Sequence, residues 1–477
     1  MPYFLRLNTL PPMPANVSLS GTVLASDLCI GCGICAHLAP GDVAIRLDSR
    51  GFLRPMPITT TTLDAFDRLS EFCPMSGMGP NEDQLAAEFF PSHLKRDSRL
   101  GRYLACYAGR VSDGVMYSRS SSGGIGRWLI TTMLERNIID AAAIVMPRRN
   151  DETGDKLFNY RIVTTPTEAL DAATSAYYPV EMSHVLDHIR ATPGRYAITA
   201  LPCFAKALRT LCMADPVMRD RITVILGTVC GHLKSTFYAE LLGWQLGVRP
   251  TELAGINFRV KIPGCRADEK GVAAYSYANP GQEHGPVKVQ KLYGTNYGEG
   301  FFKYKACDYC DDVLAETADV SIGDAWLPQY LDRGTSLVIV RQAWIQELLE
   351  SAQDSGELTL ERLDADAAAV SQDAGLRHRR QGLSYRLCLA DEQGKWRPQK
   401  RVAAAADHLT ERERSIHKYR MQIAELSARA FADVRLTGTI DDFKSRMSPL
   451  LAKYKAQYGS ALFRFLKRFA VRLGLRL

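Results

Sequence analysis

Cysteine spacing carries the first chemical information in this chain. Cys29, Cys32 and Cys35 stand at C-x2-C-x2-C spacing with Gly31 and Gly33 between them, a short loop able to wrap a cubane and aim several thiolates at it. In the bacterial cluster-binding run the next ligand is a cysteine followed by proline, and in two-cluster proteins that cysteine serves the other cluster. Here the slot holds Ala39-Pro40, and a Cys-Pro pair recurs at Cys73-Pro74. One complete ligand set remains, Cys29, Cys32, Cys35 and Cys73, for one 4Fe-4S cluster. A structural zinc site uses two well-separated ligand pairs and fits a triple run with one Cys-Pro poorly. Disulfides need an oxidising compartment, for which the chain carries no signal.

Four further cysteines fall at places where ligands gather. Cys203 follows Leu201-Pro202, Cys230 precedes Gly231-His232, and Cys307 and Cys310 form a C-x2-C pair. Four thiols are the ligand count of a second 4Fe-4S cluster, but a C-x2-C pair alone suits zinc or a redox dithiol as well, and spacing does not decide. Cys212, beside Leu208 and Leu211 on a predicted helix, reads as core; Cys106, Cys265 and Cys388 read as free thiols. Ser121, Ser122, Gly123 and Gly124 open an apolar helix expected over 125–136. Small residues there expose backbone N–H groups to an anion, and the helix dipole favours negative charge. A phosphate or a flavin pyrophosphate suits that turn; a serine N-cap with glycines for tightness explains it too. Arg259 and Lys261 alternate on a predicted strand and suit an anionic substrate, a cofactor phosphate or a solvated basic face. His232 reads as a proton donor or a locally packed loop histidine, and Asp324 as a cofactor-orienting group or a turn cap. No catalytic residue is singled out.

The elements that must position these groups alternate. Strands are expected over 141–147, 196–200, 222–227 and 336–341, with helices over 180–192, 205–213, 234–246 and 344–351. Strands followed by helices predict a mostly parallel sheet, with ligands at the carboxyl ends of its strands. Cys203 and Cys230 both fall at strand-to-helix junctions, so two adjacent loops could present them to one ligand. Further strands are expected over 256–261, 273–278 and 287–293. Residues 1–20 read as a loose leader, 21–80 as the small cysteine-rich module, and 407–435 as one or two charged surface helices.

Length and composition bound the answer. At 477 residues the chain suggests about two to four domains. With 46% hydrophobic and 23% charged residues it can build a sizeable core. A net charge of +7 is too mild to argue for nucleic acid without a localised patch. No run of about 18 apolar residues implies a membrane span, and the N-terminus lacks a signal-peptide pattern, so a cytoplasmic protein is expected. The segment 461–477 places Leu462, Phe465, Leu466, Phe469 and Leu473 on one helical face and Arg464, Lys467, Arg468 and Arg472 mostly away from it. Such a basic helix suits peripheral contact with an anionic membrane surface, a docking partner or this protein's own core.

Taken in order, these motifs resemble the beta-subunit family of coenzyme F420-reducing hydrogenases and dehydrogenases. The resemblance spans about residues 29–341. It rests on the cysteine run with Cys73-Pro74, Ser121-Ser122-Gly123-Gly124, Pro202-Cys203, Cys230-Gly231, the stretch 258–261, the Cys307/Cys310 pair and Ile322-Gly323-Asp324-Ala325-Trp326. It implies FAD near Ser121, Ser122, Gly123 and Gly124, and a second 4Fe-4S cluster on Cys203, Cys230, Cys307 and Cys310. Ala200-Leu201-Pro202 stands where the family usually has Gly-Thr-Pro, and Gly231-His232 where it commonly has His-Gly. The expected fold class is therefore α+β with α/β: a ferredoxin-like module over 21–80, a central mixed or parallel-sheet flavin domain over 100–200 and 201–350, and a helical extension over 395–477. The expected function is electron transfer between the clusters, FAD and a small-molecule substrate or deazaflavin, fed by ferredoxin or another donor. A non-catalytic electron-transfer subunit is the alternative.

Overall fold

The computed structural model describes residues 18–57, 63–148, 156–172 and 174–459. Eight strands form the central sheet: β1 (Ala105–Val111), β2 (Ala141–Pro147), β3 (Phe158–Val163), β4 (Tyr196–Ala200), β5 (Ile222–Thr228), β6 (Val320–Asp324), β7 (Ser336–Val340) and β8 (Leu358–Leu363). Their order across the sheet is β8-β1-β7-β6-β5-β4-β2-β3. Strands β6, β5, β4 and β2 pair parallel. Strand β7 is antiparallel to both β6 and β1, which turns β1 into that same direction. The sheet is thus mixed, with β3, β7 and β8 reversed. Every residue of β7 is buried, as a strand covered on both faces requires. One consequence governs the site: β1, β6, β5 and β4 all end on the same edge, so the segments that follow them meet there.

Seven helices matter below: α1 (Ile125–Glu135), α2 (Pro202–Ala214), α3 (Phe237–Gln245), α4 (Asp373–Arg379), α5 (Gln381–Glu392), α6 (Glu411–Val434) and α7 (Ile440–Ala456). Helix α2 begins at Pro202, three residues before the expected start, because proline at the first helical position forfeits only an N–H that would be orphaned anyway. Ahead of the sheet, a short helix (Ile34–Leu38) and an antiparallel hairpin (Val43–Leu47 with Leu53–Pro57) build the small cysteine-rich segment. A separate three-stranded sheet holds Leu253–Val260, Gly271–Ser276 and Glu283–Lys288. The strand expected over 287–293 stops at Lys288. Thr295 Oγ1 donates to the Val289 and Leu292 carbonyls and closes a turn there instead.

Two expectations at the chain ends need correction. Of the leader, residues 1–17 lie outside the described residues, but Leu19 is buried and the Ser20 N–H donates to Asp67 at 2.7 Å. The charged stretch 407–435 forms a single helix, α6, entered through a Thr410–Glu413 capping box. It is not confined to the surface: Phe431 is fully buried against Phe237, Phe302 and Phe443. Charged residues interleaved along the helix mask a stripe through Ile416, Ile423 and Phe431 that joins the core. That core is continuous from Leu28 and Ile30 through Phe204 and Leu208 of α2 to Phe443 of α7. The ends are also tied by charge. Arg401 reaches Glu82 at 3.3 Å, Asp311 at 3.2 Å and Glu316 at 2.8 Å. The basic segment 461–477 lies outside the described residues. Among those described, no helix is long and apolar enough to cross a membrane.

Candidate redox site

The first cysteine set converges. Cys29, Cys32, Cys35 and Cys73 line one hollow together with Ile34, Ile45, Phe66, Leu69 and Phe72. Gly33 has φ of +88°, and a Cβ there would come within 2.8 Å of the Ser183 N, so the tight loop demands glycine. The Gly31 N–H points at Cys29 Sγ at 3.3 Å, as N–H groups do toward a thiolate. Cys73 arrives from the far side, on the end of a short turn (Ser70–Phe72). Burial pushes the Cys73 thiol up to about 12 and Cys35 well above its ordinary value. Such thiols bind as thiolates only if a cation replaces the lost water.

The second set, scattered over more than a hundred residues, also converges. Cys203 in the first turn of α2, Cys230 just beyond β5, and Cys307 and Cys310 surround a second hollow with Pro202, Leu233 and Arg379. Adjacent strands β4 and β5 put the first two thiols side by side, as the loop argument anticipates. The Leu233 N–H donates to Cys307 Sγ at 3.2 Å. Burial lifts Cys230 to about 12 and Cys307 to about 11. Among the described residues, no three His, Cys, Asp or Glu side chains close on one point to hold a single metal ion. In both sets the four thiols border one shared space. Ile30 lines both hollows, and Met75 lines the second.

Each cysteine set has an arginine beside it that the sequence reading missed. Arg54 donates to the Cys29 carbonyl at 2.5 Å and is neutralised by Asp27 at 2.5 Å and Asp48 at 3.7 Å. Arg379, in the last turn of α4, is buried, and its guanidinium donates to the Gly231 carbonyl at 2.6 Å and the Asp312 carbonyl at 3.2 Å. The run Arg377-His378-Arg379-Arg380 was the available signal, but four basic residues on a helix read as a solvated face.

The Ser-Gly turn lies beyond the carboxyl end of β1. The N–H groups of Ser121, Ser122, Gly123 and Gly124 have no acceptor among the described residues, and α1 lacks a side-chain cap. The serine hydroxyls are engaged elsewhere: Ser122 donates to the Thr335 carbonyl at 2.9 Å and Ser121 to the Thr174 carbonyl at 3.3 Å. No serine side chain caps α1, which leaves these backbone N–H groups open to an anion. Lys261 braces the turn, donating to the Ser122 carbonyl at 2.8 Å. Arg259 and Asp324 form a bidentate pair at 2.7 and 2.8 Å, both side chains largely buried. Neither basic residue lies on a solvated face. A Cβ on Gly123 would collide with the Gly109 carbonyl and reach within 2.6 Å of the Ser336 N. Gly123→Ala should therefore cost about 1–3 kcal/mol in overpacking and, if the turn is a flavin cradle, lower the flavin-to-protein ratio, checked by thermal unfolding and that ratio. A normal ratio in a destabilised variant would reject the cradle role.

Between the second hollow and this pair runs an aromatic seam. His232 stacks on Tyr297 at 4.2 Å, and Tyr297 meets Tyr177 edge-on at 5.6 Å. His232 is thus buried and packed, with an unpartnered Nε2. Of the remaining thiols, Cys212 is core as expected, and Cys106, expected only as a free thiol, is also buried, as the second residue of β1.

A mixed α/β sheet whose carboxyl edge carries the uncapped Ser-Gly turn and the second of two thiol-lined hollows suits redox chemistry. The chain belongs to the coenzyme F420 hydrogenase/dehydrogenase beta-subunit family: its N-terminal model matches residues 106–187 and its C-terminal model residues 194–366, together more than half of the chain. The chain is 25% identical over 258 residues to the coenzyme F420 hydrogenase subunit beta of Methanococcus voltae, covering 53% of this chain and 83% of that one. It also aligns with a chain of the F420-reducing [NiFe] hydrogenase complex from Methanosarcina barkeri at 18% identity and a TM-score of 0.48, covering 65% of this chain and 99% of that chain.

Proposed function

We propose that this protein is an iron–sulfur flavoprotein oxidoreductase. In this reading Cys29, Cys32, Cys35 and Cys73 hold one 4Fe-4S cluster, and Cys203, Cys230, Cys307 and Cys310 hold a second. The turn at Ser121, Ser122, Gly123 and Gly124 cradles FAD, and the reaction reduces or oxidises an organic substrate or deazaflavin coenzyme. The observation that carries the reading is the convergence of eight thiols into two quartets walled by the same Ile30. When bound, a flavin exchanges a hydride or electron pair on one side and single electrons on the other, as clusters require.

The chain's own residues do the rest. Ile30 and Met75 keep water out of the interval between the two sets. The free N–H groups of 121–124 bind phosphate oxygens, and Lys261 holds the turn in shape. The Arg259–Asp324 pair fixes the floor of the sheet edge beside Ser122. Ferredoxin or another one-electron donor would dock over the first set.

The description of the Methanococcus voltae relative as a hydrogenase subunit favours a second reading, in which the chain carries electrons for a partner polypeptide and performs no turnover alone. Anaerobic purification should yield brown protein with iron, acid-labile sulfide and extractable FAD. Steady-state assays with an artificial reductant and ferredoxin, nicotinamide or deazaflavin acceptors then separate the readings: turnover by the isolated chain supports the first, and full cofactor content without turnover supports the second. Colourless protein holding stoichiometric zinc would overturn both.

A further inference from the structure

Arg379 is anomalous in its surroundings. It is 2% exposed, and among the described residues no carboxylate stands within ion-pair distance of it. The nearby acids are otherwise engaged: Asp312 accepts the Leu314 and Glu316 N–H groups at 2.8 Å each, and Asp308 pairs with Lys303 and Arg386. Two of its nitrogens are spent on backbone carbonyls, while its Nε is buried without any partner. A buried cation without an anion is strongly disfavoured, and the space it borders is the hollow of Cys203, Cys230, Cys307 and Cys310. Arg54, its counterpart at the first set, already has Asp27 and Asp48. The contrast leaves one cluster site with a neutralised arginine and the other with a full positive charge. Arg379 also lies beyond residue 366, where the family match ends.

We propose that Arg379 is the charge partner of the second cluster and holds its reduction potential above that of the first, so that electrons entering at the first cluster run inward. A fixed positive charge in a water-poor site stabilises the more negative, reduced state of whatever it faces. The inference rests on the two-cluster reading. Within it, Arg379 is a positioning residue supplied by the segment outside the family match.

The test is a spectroscopically monitored redox titration of the full chain, purified anaerobically, with Cys230→Ser used to assign the signals. In the unaltered protein the second cluster should be reduced first. In Arg379→Gln its equilibrium constant for reduction should fall by about tenfold or more, about 59 mV for one electron, with the first cluster unmoved. Arg379→Lys, which keeps the charge, should move it less. Equal potentials, or the reverse order, in the unaltered protein overturn the proposal even if the glutamine variant fails to fold. A folded Arg379→Gln protein whose second cluster shifts less than twofold, or whose two clusters shift together, overturns it as well. A protein with only about four irons per chain, the content of one cubane, would instead remove the two-cluster reading itself.

Discussion

Cys230→Ser is expected to halve the iron and acid-labile sulfide of the purified protein, from about eight to about four of each per chain, while the signal of the first cluster survives. Residues that merely orient metal ligands change affinity or activity by about 10–100-fold, so the loss of a ligand should slow electron delivery to the flavin by more than about 100-fold. The geometry makes the prediction specific. Cys230 lines the second hollow only, and the first set is complete without it. Cys388→Ser is the control, because that thiol lies outside both hollows and contacts Glu392. Undiminished iron in Cys230→Ser, or equal loss in Cys388→Ser, would dispose of the second ligand set.

The other large effect is expected at Arg259. Its pair with Asp324 is buried and bidentate, and removing one partner strands the other, at a cost of about 3–5 kcal/mol. Arg259→Met should therefore lower the unfolding free energy by about that amount at neutral pH. Burial alone would raise the Asp324 carboxyl, but the Arg259 guanidinium holds it below the usual range, helped by Ser122 and Lys270. A depressed carboxyl stabilises the fold fully above its unfolded pKa of about 3.9 and loses that contribution as pH falls through the folded value. In the variant, burial dominates and raises the carboxyl, so stability there is lost as pH rises instead. The deficit between the two proteins should narrow from pH 7 toward pH 4 in chemical denaturation. A deficit that does not vary with pH would mean the loss comes from packing and not from the pair.

Much of the frame was legible from local pattern. The strands over 141–147 and 196–200 appear within the expected bounds, because short apolar runs flanked by turn residues have few other uses in an α/β chain. Motif order likewise anticipated which eight cysteines would meet, although spacing alone left Cys203, Cys230, Cys307 and Cys310 open. What local pattern cannot carry is pairing across long separations. Arg259 finds Asp324 sixty-five residues away, and nothing in either neighbourhood announces it. Arg379 looks like one of four surface cations until α4 is seen to fold over the second hollow. The burial of α6 was hidden for a related reason: charged residues are interleaved with the apolar positions, Ile416, Ile423, Phe431 and Val434 among them, that do the packing.

The way the chain's last third closes over the second cysteine set has a consequence for biogenesis. All eight thiols have left the ribosome before α4 and α5 are made, yet Arg379 and Arg386 then lie across the Cys230 and Cys307–Cys310 segments, with Arg386 donating to the Asp308 carbonyl at 2.6 Å. Arg401 ties the same region to Glu82, behind the first cysteine set. Translation order thus opens an interval in which the ligands are complete and their cover is not. Under the two-cluster reading proposed above, insertion at the second set belongs to that interval, before the closing helices cover its ligands.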